Sequence, residues 1–316
     1  MKNIIHIIFF SLIILTNTAY CQFNYIQYSH YVNNAELSIA DKKYSEALVF
    51  YDSVVSVKSN LFAKDALNAA ICAGILKNNN MCYAYLKLLI DKGIFIENFK
   101  SINVLSDFLK TKIGKKLIDY SKHNDGKFNK KARYTIDSLE KADQFFRNKK
   151  GKYVVYMDTI KKIDANNALF LVKFIEMYGF PNEDMVGIVD DSLLNFSQPL
   201  YYGILIHQQN GSPSSVMNFS EILTTALKNG DIEPNIAVEL IDKSNGSDEY
   251  GSEVCGLTKY VFDSISSSKN QFSNPVQNYD SLNTWGYINL NLQYETKLNN
   301  NRNNIGLGTV MESFIY

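Results

Sequence analysis

Nine polar residues in the C-terminal part of the chain have the side-chain types that acid–base chemistry needs: Asp143, Gln144, Arg147, Asp164, Asn166, His207, Asp242, Tyr250 and Arg302. Histidine changes charge near neutrality and can carry a proton, a carboxylate can orient it, and a guanidinium can grip an anionic group. Asp143 and Arg147 stand one helical turn apart on a stripe shared with Ile136, Leu139 and Phe146, and His207 shares a side with Leu200, Gly203 and Ile204. Charges on such faces are costly unless they pair, so Asp143, Arg147, His207 and Asp242 are expected to meet in the fold. In a catalytic reading, His207, Asp143, Asp242 and Tyr250 are the candidates for proton transfer. Gln144, Arg147, Asp164, Asn166 and Arg302 are then the binding residues. In a structural reading, the same residues form an interhelical network that fixes the packing, and Asp164 is simply a helix cap.

Other chemistries find little support. The chain has no nucleophile elbow, P-loop, HExxH or CxxC pair. His30, His123 and His207 each lack a second histidine at ligand spacing, so no metal site and no cofactor are expected. The formal net charge is +0, with 32 basic against 32 acidic residues, which argues against a nucleic-acid partner. Lys110, Lys112, Lys115, Lys116, Lys122, Lys127, Lys130, Lys131 and Arg133 crowd one stretch, read as a solvated surface, with anionic envelope lipid or polymer as the alternative contact.

Helices must position these residues. Tyr31, Ala35, Tyr44, Ala47, Tyr51 and Val54 recur at the spacing of paired antiparallel helices, with small residues where helices cross and tyrosines beside them. Ala66, Ala69, Ala70, Ala73, Cys82, Leu86 and Leu89 form a second copy, in which Cys82 stands where Ala47 does in the first, as a small buried hydrophobe. Phe99 to Ile118 reads as a closing helix with its entry loop. Ser121 to Lys131 is polar and reads as a hinge. Beyond it, Asp164 is expected to cap a helix that Gly179 and Pro181 end. Phe196 to Gln209 reads as another helix, Asn218 with Glu221 as a capping box, and Pro234 as the first turn of the last well-marked helix.

The first half resembles secreted bacterial tetratricopeptide-repeat proteins, notably through Leu67-Asn68-Ala69-Ala70-Ile71-Cys72 and Tyr85-Leu86. This implies an all-α fold whose repeats hold a protein or peptide partner. Residues from about 137 to 316 resemble an uncharacterised bacterial domain family, known only as a domain of unknown function. The residues that carry the likeness are Asp143-Gln144 with Arg147, Asp164 with Asn166, Gly179-Phe180-Pro181 before Val186-Gly187, His207, Leu240 with Asp242-Lys243, Tyr250-Gly251, and Arg302 before Gly306-Leu307. Phe180, Lys243 and Ser252-Glu253 depart from that pattern, which has Trp, Arg and Thr-Gln there. The resemblance implies candidate residues and no reaction.

The N-terminus reads as a secretory signal: Lys2, an apolar run from Ile4 to Leu15, then Ala19 and Cys21 at the cut. That run is shorter than the about 20 residues that span a bilayer. Cleavage after Cys21 makes Gln22 the first residue of a secreted or periplasmic chain that does not span a membrane. The alternative is an outer-membrane lipoprotein anchored at Cys21, against which the bulky Tyr20 argues. Cys72, Cys82 and Cys255 remain, an odd number that forms no complete disulfide framework. The expected organisation is a signal peptide over 1–21, a repeat domain over 22–121, a linker over 122–132 and a helical domain over 133–316. Two functions are compatible with it: an envelope scaffold whose repeats bind a partner, or an acid–base enzyme acting on an anionic envelope substrate.

Overall fold

The computed structural model describes residues 24–58, 60–188, 198–250, 292–304 and 307–309. The signal segment, Cys255 and the run Gly251-Ser252-Glu253 lie outside them. The fold is all-α, and among the described residues no strand occurs.

Helices α1 (Tyr25–Ala40) and α2 (Tyr44–Val57) pack as one antiparallel hairpin, and α3 (Ala63–Ile75) and α4 (Asn79–Asp91) as a second. Asn24 starts α1 by accepting from the backbone N–H of Gln27, and Asn78 starts α4 by accepting from Met81. Ala35, Ala47 and Tyr51 are fully buried between the first pair; Ala66, Ala69, Ala70, Ala73 and Cys82 are fully buried in the second. Burial pushes the Cys82 thiol up to about 12 and that of Cys72 up to about 11, so both behave as small apolar side chains.

The closing segment has an entry segment as its pattern suggested, but two helices follow it instead of one. A 3-10 turn over Ile96–Ser101 leads into α5 (Asn103–Lys110) and then α6 (Lys112–Ser121). Thr111 breaks the run: its backbone is extended and its hydroxyl accepts from the Gly114 amide at 3.0 Å. Only glycine fits at 114, where a Cβ would lie 2.2 Å from the Phe108 carbonyl oxygen. Leu105, Phe108, Leu109 and Leu117 then complete the first core.

A second core forms around α7 (Lys130–Arg147), α9 (Met157–Tyr178), α11 (Tyr202–Ile206), α12 (Ser220–Asn229) and α13 (Pro234–Asn245), with the short helices α8 (Lys152–Val155) and α10 (Glu183–Val186) between them. Gly179 ends α9, Gly230 ends α12 in the left-handed conformation, and Pro234 opens α13. Three expectations are corrected. The helix anticipated from Phe196 is confined to Tyr202–Ile206 among the described residues. The Asn218 side chain accepts from Ser220 rather than three residues on, so the reciprocal capping box does not form. Asp164 lies inside α9, seven residues after its start, because its carboxylate is bound by an arginine of another helix and not by backbone amides. The final described helix is α14 (Leu292–Asn304). No helix among the described residues is long and apolar enough to cross a membrane.

The two cores interlock. Ile188 belongs to the first core, while Tyr25 packs on the second. The buried Lys92 ammonium meets Asp184 at 2.6 Å and Glu183 at 3.2 Å, and its carbonyl accepts from the Ile188 amide at 3.0 Å. The stretch assigned to a linker is tied into this junction. Lys127 donates its amide to the Asp91 carbonyl, Asn124 donates to the Asp91 carboxylate, and Asn129 donates its amide to Met185.

Gly187 sits at φ +68, where a Cβ would come 2.8 Å from the Lys92 carbonyl oxygen. Gly187→Ala should therefore destabilise the protein by about 1–3 kcal/mol, read as a shift in urea midpoint at constant slope. An unchanged midpoint would show that the junction tolerates a side chain there.

Asp65 of α3, 3% exposed, is hydrogen-bonded by the Tyr28 phenol of α1. Burial, and then Glu233 and Glu36 nearby, push its carboxyl up to about 8, against the opposing pull of Lys64 and Tyr28. The folded state therefore holds a proton that the unfolded chain releases near pH 4. Stability contributed by that proton is complete below about pH 4 and is lost as pH rises through about 8, at no more than roughly 1.4 kcal/mol per pH unit. Urea unfolding between pH 5 and 8.5 should show stability declining with pH in the wild type and a flatter profile in Asp65→Asn; equal slopes would remove Asp65 as the titrating group.

Candidate functional site

Helix α7 begins where Asn129 accepts from the amides of Lys131 and Ala132. Its apolar stripe turns inward at Ala132 and Ile136, and the same face carries Asp143 and Arg147 into the second core. The 3.6-residue period that buries isoleucine thus buries two charges with it.

Arg147 is the centre of the group. Its Nη2 donates to both oxygens of Asp164 on α9, at 2.7 and 2.8 Å. Its Nη1 donates to the Asp143 main-chain carbonyl at 2.7 Å and lies 3.1 Å from Asp143 Oδ1. That last contact is an ion pair without hydrogen-bond alignment, so Asp143 Oδ1 has no hydrogen bond although Arg147 neutralises it. Asp143 Oδ2 accepts from Gln144 Nε2 at 2.7 Å and lies 3.3 Å from His207 Nε2. Asp143 and Asp164 are almost fully enclosed, whereas the His207 side chain keeps 27% of its surface in solvent. His207 follows the last turn of α11, and Gly203 one turn earlier faces Asp143 Oδ2.

Five of the nine sequence candidates therefore meet: Asp143, Gln144, Arg147, Asp164 and His207. Asp242, expected beside them, has other partners. Its carboxylate accepts from the amides of Glu249 at 3.0 Å and Tyr250 at 3.2 Å, past the left-handed Gly246 that ends α13. Tyr250 thus contributes its backbone, while burial raises its phenol above the ordinary value. Arg302 of α14 donates to the carbonyls of Tyr250 at 3.1 Å and Gly308 at 2.7 Å, pinning that helix to the turn after α13. Asn166 is exposed on α9 and joins neither group.

Two buried polar residues beside this group were not among the candidates. Asn167 donates to the Leu139 carbonyl at 3.0 Å, joining α9 to α7. Gln208, 1% exposed, accepts from the Val216 amide at 2.8 Å and reaches the carbonyls of Asp164 and Ser214 at 3.4 Å. Asn167 shares a helix face with Asp164, a signal that spacing could have given. Gln208 is buried by a turn that no periodicity marks.

The arrangement can hold an imidazole against a buried carboxylate. It does not leave a guanidinium free to hold an anion, because Arg147 and Arg302 both spend their donors on the protein itself. Among the described residues no group of His, Cys, Asp or Glu is clustered to hold a metal ion. Compared with known proteins, the chain matches no family model, no curated protein and no solved structure.

Removing Arg147 leaves Asp143 and Asp164 facing each other across two helices without a cation. Arg147→Ala should cost about 3–5 kcal/mol, whereas His207→Ala, at a partly solvated position, should cost under about 1 kcal/mol. Denaturant titration of both variants checks this; similar losses for the two would mean that the imidazole is as much a part of the packing as the guanidinium.

Proposed function

We propose that the protein is an exported partner-binding protein of the bacterial envelope, built from tetratricopeptide-like hairpins and a helical second half that stiffens and orients them. The observation that carries this reading is the closure of the Asp143–Arg147–Asp164 network on itself. Such a network fixes the relative positions of α7 and α9 and commits the Arg147 guanidinium to Asp143 and Asp164. The paired antiparallel helices, with alanines buried at their crossings, support a repeat surface for a peptide or protein. Val49 on α2 and Phe95 after α4 present 64% and 62% of their surface to solvent on that half. Export rests on the N-terminal pattern of Lys2, the apolar run and Ala19 with Cys21.

One observation favours a second reading. The partly exposed His207 imidazole, 3.3 Å from an enclosed carboxylate, has the geometry of an oriented general base. In that reading the second half is an acid–base enzyme and the hairpins place it.

A photo-crosslinking residue placed singly at Val49, Phe95 and, as a control, Phe170 separates the two in intact cells. Partner binding through the hairpins should give one discrete covalent adduct from Val49 or Phe95 and none from Phe170, and His207→Ala should not change it. Absence of any adduct from both hairpin sites, or loss of the adduct in His207→Ala, would count against this function.

A further inference from the structure

The junction between the cores contains a recess that opens to solvent. Phe62, Tyr201, Glu183, Asp231 and Glu233 line it, so aromatic rings and carboxylates face the same space. These groups come from both halves: Phe62 precedes α3, and the others lie around α10, α11 and the turn before α13.

Tyr201 is the informative residue. It is 3% exposed, its ring packs edge-on against Phe180 with centroids 4.9 Å apart, and its hydroxyl makes no hydrogen bond with any described residue. Buried hydroxyls almost always have a partner, so an unbonded one on a recess wall marks a place for a ligand atom. Burial, and then the charges of Glu183, Asp231 and Glu233, hold this phenol well above its ordinary pKa, which keeps the proton on the oxygen.

The carboxylates also have capacity to spare. Glu183 Oε2 takes the Ala63 amide at 2.8 Å and the Lys92 ammonium at 3.2 Å, and Asp231 Oδ1 takes Asn182 at 2.6 Å. The second oxygen of each has no hydrogen bond among the described residues. Around the recess, Glu36, Glu183, Asp184, Asp231 and Glu233 outnumber Lys58, Lys64 and Lys92, with Asp65 protonated and so adding no charge. Those lysines are engaged: Lys58 with the Gly230 carbonyl at 2.6 Å, Lys64 with Glu36 at 2.8 Å, and Lys92 with Asp184 at 2.6 Å. Arg133, whose guanidinium reaches the nearby Val186 and Ile188 carbonyls, is held by Asp137. The local field therefore favours one more cation. Among the described residues no group of carboxylates is clustered tightly enough for a metal ion, so a cation that donates hydrogen bonds fits better.

We propose that this recess binds an alkylammonium group, from a free primary amine or from a lysine side chain, with its three N–H groups shared among the carboxylates of Glu183, Asp231 and Glu233 and the Tyr201 oxygen. An ammonium carries three donors and no acceptor, which matches a wall of acceptors, and the Lys58 ammonium over the Phe62 ring at 4.7 Å shows that this junction already accommodates one such group.

Calorimetric titration of the mature full-length protein tests this with n-butylammonium chloride, with neutral n-butanol, and with a blocked tripeptide carrying a central lysine or norleucine. The butylammonium or the lysine peptide should bind saturably, and butanol and the norleucine peptide should not. The peptide binding at least tenfold more tightly than butylammonium identifies a lysine side chain as the source; the reverse identifies a free amine. Tyr201→Phe should weaken the better probe several-fold and Glu233→Gln roughly tenfold or more, since a hydrogen bond to a charged group is lost. Should Glu233→Gln fail to fold, Tyr201→Phe decides alone, because it removes a single unbonded oxygen. Lack of saturable binding by both ammonium probes, equal binding of the neutral analogues, or unchanged affinity in the variants would overturn the assignment.

Discussion

A lysine buried at the end of α4 organises the meeting of the two halves. Lys92 is 5% exposed, and an ammonium removed from water must find carboxylates. It finds Glu183 and Asp184 on the first turn of α10, where acidic side chains are also favoured by the helix dipole. The same residue accepts the Ile188 amide through its carbonyl, so side chain and backbone hold one short segment of the second half. Its neighbour Asp91 does the equivalent for the stretch between the halves. It takes Asn124, Tyr120, Lys87 and Lys127 on its carboxylate and the Lys127 amide on its carbonyl. Hydrogen bonding from these donors holds the Asp91 carboxyl below its ordinary value despite burial.

The second core depends on a different solution to the same problem. Arg147 offers a rigid planar fork, and Asp164 matches it with both oxygens. Apolar residues of similar volume could fill that space as stably, so the network is better understood as fixing which helices meet, and in which register, than as a large source of stability. The orientation of His207 follows from it: Asp143 is held by Arg147 and Gln144, and the imidazole rests against Oδ2, the oxygen that Gln144 also holds.

Acidic groups gather on the recess side of the junction because two separate demands coincide there. Glu183 must satisfy Lys92 and the Ala63 amide, and Glu233, at the start of α13, lies near Lys64. Each carboxylate has a local reason, but together they exceed the lysines around them. Burial raises the Glu233 carboxyl, as it does that of Asp65, which lessens the repulsion within the group.

The sequence by itself determined the helical class, the two hairpins, the terminators of α9 and α12 and the Pro that opens α13, because periodicity, small residues at crossings, and Gly or Pro at ends are local signals. It also identified Asp143, Arg147 and His207 as residues that must pair, since charges on an apolar face leave few alternatives. Only the tertiary structure decided which partners they take. Asp164 reads locally as a helix cap, but it lies within α9 because Arg147 offers more than free backbone amides would. Asp242 reads as a fourth member of that group, but its carboxylate is taken by amides a few residues downstream, where Gly246 turns the chain back. The junction was not legible at all. Lys92, Glu183 and Tyr201 carry no motif and sit far apart in the chain, and what distinguishes them, burial and the partners they find or lack, exists only once the two cores have closed on each other.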